Sequence, residues 1–181
     1  MSHFASYAPT AHGTRDPAVE VRDALEDDVP AIAAVARTRG GEHVGLEGRL
    51  AGWVRGDEHV VLVATRHDEV IGWASARRLR DRPDAPDGWY VSSLTVAPQH
   101  RRRGAGDALL TRLVAHADAR ESALRSIVNA TNAPSLDLHA AHGFVEEGRG
   151  PTFAGIEFIG GTGVLLVRKP PISAAGSVAT T

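Results

Sequence analysis

The stretch from Val91 to Gly106 constrains this chain more than any other. An apolar run ends at Ala97-Pro98, three arginines follow at Arg101, Arg102 and Arg103, and Gly104-Ala105-Gly106 opens a segment with helical apolar spacing. A strand must therefore leave a sheet and enter a helix through a short, basic, glycine-rich loop. Glycine lacks a Cβ, so the backbone there can adopt positive φ and approach a ligand closely. The first N–H groups of the helix have no intrahelical partner, and the macrodipole places roughly half a positive charge beside them. An anion such as pyrophosphate is the natural occupant, and the arginines add charge and planar donors.

Context separates this loop from other phosphate loops. A P-loop needs Gly-Lys-Ser or Gly-Lys-Thr, yet the single lysine, Lys169, lies far from such a turn. A dinucleotide fingerprint needs a third glycine three positions after the second, where this chain has Leu109. The spacing that fits is Arg/Gln-x-x-Gly-x-Gly/Ala, carried by Arg101, Gly104 and Gly106. It resembles the acyl-CoA loop of the GCN5-related N-acetyltransferases (GNAT). Upstream, Leu94, Thr95, Val96, Ala97 and Pro98 resemble the strand before that loop. Downstream, Asn132 to Phe144 is similar to the family's second block, Asn-x-x-Ala/Ser-x-x-Leu-Tyr-x-x-x-Gly-Phe. With a weaker similarity at Val19 to Arg37, the resemblance spans about residues 18 to 169.

The chain has 181 residues, 43% of them hydrophobic, enough for one well-buried core. We expect mobile tails at 1–17 and 170–181, rich in small and polar residues, around a single domain at 18–169. The formal charge of −2 gives no global basic field for nucleic acid or a membrane surface. With no cysteine, disulfides, thiolate metal sites and a cysteine nucleophile are excluded. Neither a signal-peptide pattern nor an apolar run of spanning length is present, and a cytoplasmic location is expected.

Periodicity predicts strands at Ala18–Asp23, Val60–Arg66, Val70–Leu79, Tyr90–Val96, Ser126–Thr131, Phe144–Arg149 and Val164–Arg168. Helices are expected after Asp27 or Asp28 as the cap, at Glu42–Val54, from Gly104 to about Arg120, and at Pro134–His142. The glycine-rich segment Phe153–Gly163 reads as a bulged strand or a long turn. The fold class is α/β (α+β): a central mixed, mostly antiparallel sheet flanked by helices, as the resemblance also implies.

The resemblance implies direct attack of an amine on acetyl-CoA, without an acyl-enzyme. It assigns cofactor contacts to Leu94, Thr95, Val96, Arg101, Arg102, Arg103, Gly104, Ala105, Gly106, Asn132 and Ser135, with backbone N–H groups around Leu94 to Val96 receiving the oxyanion. The family tyrosine that protonates the leaving thiolate is replaced by His139, which can act as the acid or simply pack. His142, three residues later, raises a metal pair, but no third ligand is indicated and no metal is expected. Ile127 stands where some members that acetylate protein N-termini carry a glutamate. Glu157, Glu47, Glu42 or ordered water near Tyr90 and Ser92 are the alternative bases. By alternation Tyr90 and Ser92 share one face of their strand, bordering the acceptor, with Val91 and Ser93 on the other. Trp89 and Trp53 read as packing residues.

The expected function is acetyl transfer to a primary amine of a small molecule or peptide. A non-catalytic acyl-CoA-binding module and an aminoglycoside-type acetyltransferase are the alternatives. A homodimer is expected from the resemblance.

Overall fold

The computed structural model describes residues 14–40, 44–158 and 160–171. Most of both expected tails, and Glu42, lie outside the described residues. Alternating Val19 and Val21 form the edge strand β1 (Val19–Asp23), and a 3-10 turn leads into α1 (Val29–Arg37). After α2 (Leu46–Arg55), β2 (His59–Arg66) and β3 (Glu69–Leu79) form a hairpin through His67 and Asp68, at φ 48° and 66°. Positive φ at both turn residues matches the right-handed twist of the strands. The chain continues through β4 (Gly88–Val96), α3 (Ala105–Asp118), β5 (Leu124–Asn129), α4 (Ala133–Ala141) and β6 (Val145–Gly150). It ends with a small hairpin, β7 (Thr152–Phe153) and β8 (Ile156–Glu157), and β9 (Gly163–Arg168).

Seven strands form one mixed sheet in the order β1-β2-β3-β4-β5-β9-β6. Its neighbours are antiparallel except β4 and β5. That parallel pairing spans only Trp89 with Leu124, Tyr90 with Arg125 and Val91 with Ser126. Beyond it β4 stays on β3 as far as Val96, while β5 stays on β9 as far as Asn129. The strands part at a bulge: Ser75 faces Ser93 and Ala76 faces Val91, leaving Ser92 as the extra residue. A bulge bends its strand and increases the local twist, so it steers β4 away from β5.

The helices cover both faces. Leu109, Leu110 and Leu113 of α3 bury against Leu62, Ala74, Ala76 and Leu124. On the opposite face Ile32 of α1 and Leu50 of α2 bury against Val61, Val63 and Trp73. A third cluster on that second face joins Leu79, Tyr90, Phe153 and Leu165. Among the described residues no helix is long and apolar enough to cross a membrane.

Three local details differ from the sequence expectation. The segment after Gly150 contains a tight hairpin, because Ala154 and Gly155 take φ 52° and 75° and the Ala154 N–H donates to Asp84 at 2.9 Å. Residues 14–17, expected with the tail, are tied to the domain: Asp16 accepts from Arg66 Nε at 2.8 Å, and its N–H donates to the Arg103 carbonyl at 3.1 Å. Asp28 occupies the cap position of α1 but makes no side-chain cap bond. Its carboxylate instead accepts from both terminal nitrogens of Arg22, at 2.6 and 2.8 Å, and from the Leu25 N–H at 2.7 Å.

The Arg22 guanidinium holds the Asp28 carboxyl below its usual range, with the Leu25 N–H adding to the effect against the opposing penalty of burial. The contribution of Asp28 is therefore present above the ordinary carboxylate pKa and is lost as the pH falls through the depressed one. Asp28→Ala should cost about 1–3 kcal/mol at pH 7, read by urea denaturation, and the difference from the parent should shrink progressively in acid.

Candidate active site

The site begins with the backbone of β4. The Ala97 N–H donates to Ile71 on the β3 side at 2.9 Å, so pleat alternation directs the backbone of Thr95 toward β3 and that of Leu94 and Val96 toward the side β5 has left. The Val96 carbonyl accepts from Arg101 Nε at 3.2 Å. The open edge thus carries the polar groups of Leu94 and the N–H of Val96, while Thr95 serves the pairing with β3. An unpaired strand edge is open to a hydrogen-bonding partner, and an extended chain laid along it would supply one.

The edge runs into the loop. Arg102 and Gly104 take φ 62° and 82°. Gly104 is the N-cap of α3 and supplies no side-chain cap. The Ala108 N–H returns to the Gly104 carbonyl at 2.9 Å, while those of Ala105, Gly106 and Asp107 find no acceptor among the described residues. Three donors at a helix start make the anion site expected from the sequence. The three arginines differ in posture: Arg101 latches Val96, and Arg103 turns toward Asp16 at 3.8 Å.

The glycines differ as well. Gly104 needs its positive φ, and a Cβ there would lie 3.2 Å from Arg15 Cγ and 3.5 Å from Arg15 Cα. Gly106 lies within the helix, where a Cβ would meet Leu138 and Val96 at an ordinary 3.8 Å. Its lack of a side chain is not required by the fold.

On the far side of the cleft stands α4, capped by Asn132, whose side chain accepts from the Ser135 N–H at 3.4 Å. His139 is only 2% exposed. Its Nδ1 lies 2.7 Å from the Ser135 carbonyl, and its ring meets Phe144 edge-on with centroids 5.0 Å apart. A carbonyl can only accept, so Nδ1 carries the proton and Nε2 bears the lone pair. Nε2 is buried without a partner. Burial pushes the His139 pKa down, opposed by the Ser135 bond and reinforced by His142. The ring is thus neutral, and it disfavours protonation progressively below about pH 6.5, where the unfolded histidine takes up its proton. The expected donor at a bound sulfur is therefore absent from the neutral ring, because its N–H is committed elsewhere. His142 binds Asp107 at 3.0 Å, bridging α4 to the first turn of α3. Among the described residues no three potential metal ligands cluster.

The face under α1 and α2 completes the site. Tyr90 is buried and donates to the Pro86 carbonyl at 2.7 Å, so its hydroxyl is occupied. Burial raises its pKa. The bulge corrects the alternation expected from sequence: Ser93 lies opposite Ser75, on the face that carries Trp73, and not with Val91. Ser92 is exposed and its Oγ lies 2.8 Å from that of Ser75. Farther along, Arg39 Nη1 approaches the Thr95 hydroxyl at 3.5 Å. Loss of hydration and the nearby charge of Arg101 lower the pKa of Arg39.

Of the candidate bases, Glu47 pairs with Arg37 at 2.7 Å and Glu157 lies exposed on β8. Trp53 stacks on His59 with centroids 5.4 Å apart, and Arg120 sits over Trp89 at 5.6 Å, as suits packing residues. Sequence reasoning missed Arg39, Arg77 and Ser75. No motif marks them, and only their shared face gives them meaning.

The two glycines separate folding from binding. Gly104→Ala should cost about 1–2 kcal/mol through its left-handed backbone, whereas Gly106→Ala should be neutral or stabilise by up to about 1 kcal/mol through helix propensity. Gly106→Val should weaken CoA binding by calorimetry while the thermal transition is retained; unaltered affinity would remove the helix start from the binding site.

This geometry has relatives. A model described as the acetyltransferase (GNAT) family matches residues 20–144. A mycothiol acetyltransferase from Saccharomonospora viridis is 40% identical over 95 residues, covering 51% of this chain. The chain matches only 30% of that relative's length. A ribosomal-protein-alanine N-acetyltransferase from Brucella melitensis superposes with TM-score 0.67 at 27% identity, covering 83% of this chain and 99% of that one. The structure of yncA from Salmonella typhimurium with its cofactor acetyl-CoA gives TM-score 0.70 at 22% identity, covering 90% and 99%. The match of the family model over most of the chain, on a fold of this topology, establishes that the protein belongs to the acetyltransferase (GNAT) family.

Proposed function

We propose that the protein transfers the acetyl group of acetyl-CoA directly to a primary amine of a small molecule or peptide. The observation that carries this reading is the continuity of the open β4 edge with the unpartnered N–H groups at the start of α3. An acyl-CoA offers a matching sequence of groups: amides along an arm, then a pyrophosphate. Leu94 and Val96 hold the arm along the open edge, and Thr95, whose backbone is taken by β3, keeps the strand between them in place. Arg101, Arg102, Arg103, Gly104, Ala105 and Gly106 hold the pyrophosphate, with Asn132 and Ser135 completing the cofactor set. Tyr90 and Ser92 border the acceptor, Tyr90 through its ring and Ser92 through its exposed hydroxyl.

Transfer requires a proton to leave the amine and one to reach the departing sulfur. His139 is the proposed carrier. With Nδ1–H held by Ser135, the exchanging atom is Nε2, which accepts the proton of the amine. Burial disfavours the imidazolium and makes it a ready donor to the thiolate.

The other readings fit less well. An aminoglycoside is polycationic and calls for an acidic cleft, whereas Arg39 and Arg77 share the acceptor face and have no carboxylate partner among the described residues. The ribosomal-protein reading is disfavoured by Ile127 and His139 at the positions of that subgroup's glutamate and tyrosine. A purely binding module would hold CoA and release no thiol with any amine.

Thiol release from acetyl-CoA across polyamines, amino acids, aminoglycosides and short peptides, with CoA binding in parallel, tests the activity; tight binding without any turnover would favour the module. His139→Phe preserves the aromatic contact with Phe144 and removes proton exchange. It should lower kcat by roughly 10- to 10⁴-fold with CoA affinity little changed. An unchanged rate would reduce His139 to packing.

A further inference from the structure

At the acceptor end of this face stands a cation, Arg77, without an ion pair among the described residues. Arg77 lies on β3 between His59 of β2 and Tyr90 of β4 in register. It alternates with Ala76, which faces α3, and so shares its face with Trp73, Ser75 and Leu79. Its Nε is buried and unbonded, and its guanidinium makes no ion pair among the described residues. An arginine is charged at every physiological pH, and a buried N–H left without an acceptor is costly, so such a group marks a position where something else accepts.

The acids of this region are engaged elsewhere. Glu58, beside His59, pairs with Arg80 at 3.0 Å. Asp84 accepts from Ala154 at 2.9 Å, and Asp87 from the Asp81 N–H at 3.0 Å. His59, stacked on Trp53, is held toward its neutral form by burial and by Arg77 itself, so it supplies no negative charge. At the other end of the same face Arg39 stands beside Thr95 and Arg101, near the cofactor loop. Arg77 is therefore the unpaired charge at the acceptor end.

Spacing supplies the second constraint. Ser75, two residues before Arg77 on the same face, is opposite Ser93 at the bulge where β4 leaves β5. Two residues of strand rise about 7 Å. That places the guanidinium a short molecule's length from the opening in which an amine must meet the acyl group. The hydroxyls of Ser75 and Ser92 meet at the bulge, 2.8 Å apart.

We propose that the acceptor is an amino acid whose carboxylate is bound by Arg77 while its amine enters the opening beside Ser92. This rests on the acetyltransferase reading and deepens it. A guanidinium fork matches a carboxylate in a bidentate manner, and the amide of the same amino acid lacks the charge that makes the pairing strong. A site built around a specific polar partner discriminates sharply against an analogue lacking it.

The experiment compares glycine, alanine, methionine and glutamate with their α-amides as acceptors. In the wild-type protein the acids should exceed the amides in kcat/KM by at least about tenfold. Arg77→Gln should raise KM for the acids by about 10- to 100-fold, leave kcat within a few-fold and leave the amides unaffected, with Arg77→Lys intermediate. CoA affinity, measured on every variant, reports an intact fold. A readout independent of turnover is calorimetric titration of the CoA-loaded wild-type protein with the N-acetylated acids and their amides. Tighter binding of the acids, lost in Arg77→Gln, supports the proposal. Equal use or equal binding of acids and amides overturns it while leaving acetyl transfer intact. Failure to bind CoA would overturn the reading beneath it as well.

Discussion

The separation of β4 from β5 is the constraint on which the site depends. Two parallel strands that pair for three residues and then part leave backbone groups unpaired inside the molecule, an arrangement a sheet ordinarily avoids. It persists because each strand keeps its other neighbour: β4 remains on β3, and β5 remains on β9. The bulge at Ser92 gives β4 the bend it needs. Once the strands diverge, the remaining placements follow. The end of β4 delivers the loop to the start of α3, α4 stands across the gap, and the floor of the opening is lined by serines rather than by a closed ladder.

Several polar groups on the elements that border this opening lack partners among the described residues. They are the N–H groups at the start of α3, Nε2 of His139 and Nε of Arg77, in contrast to the fully paired fork between Arg22 and Asp28. A folded chain meets nearly all of its buried hydrogen-bonding capacity. Where it leaves several such groups unmet in one place, local structure is organised for a molecule that supplies the missing partners. Trp73 Nε1 and His100 Nδ1 are also buried and unpaired. Neither enters the account of acetyl transfer.

Much of this was legible in the sequence wherever the signal was local. The strand, loop and helix from Val91 to Gly106 carry their own punctuation, and Asn132 through Phe144 show a cap, an apolar face and a terminal glycine in order. The bulge was not legible, because Ser92 and Ser93 are alike in polarity and alternation gives no sign that one of them is extra. The tautomer of His139 depends on the Ser135 carbonyl one helical turn away, a main-chain group with no sequence signature. Arg77 reads the same in a strand whether or not a carboxylate waits opposite. Its lack of a partner emerges only when the surrounding acids are traced to their own contacts. Asp28 was expected as a helix cap, and Arg22, drawn close by the fold, captured its carboxylate instead.

The link between Asp16 and the loop ties the cofactor loop to a distant part of the fold. The carbonyl of Arg103 is held by the N–H of Asp16, and the same aspartate is held by Arg66 at the end of β2. Although the loop is continuous in sequence with β4 and α3, its shape is also held by a segment from far earlier in the chain, docked at the edge of the sheet. A contact between residues so distant in the chain costs closure entropy that a local turn does not incur. The cofactor loop is therefore local in sequence but not in its constraints, being joined through Asp16 and Arg66 to the β1–β2 edge of the sheet.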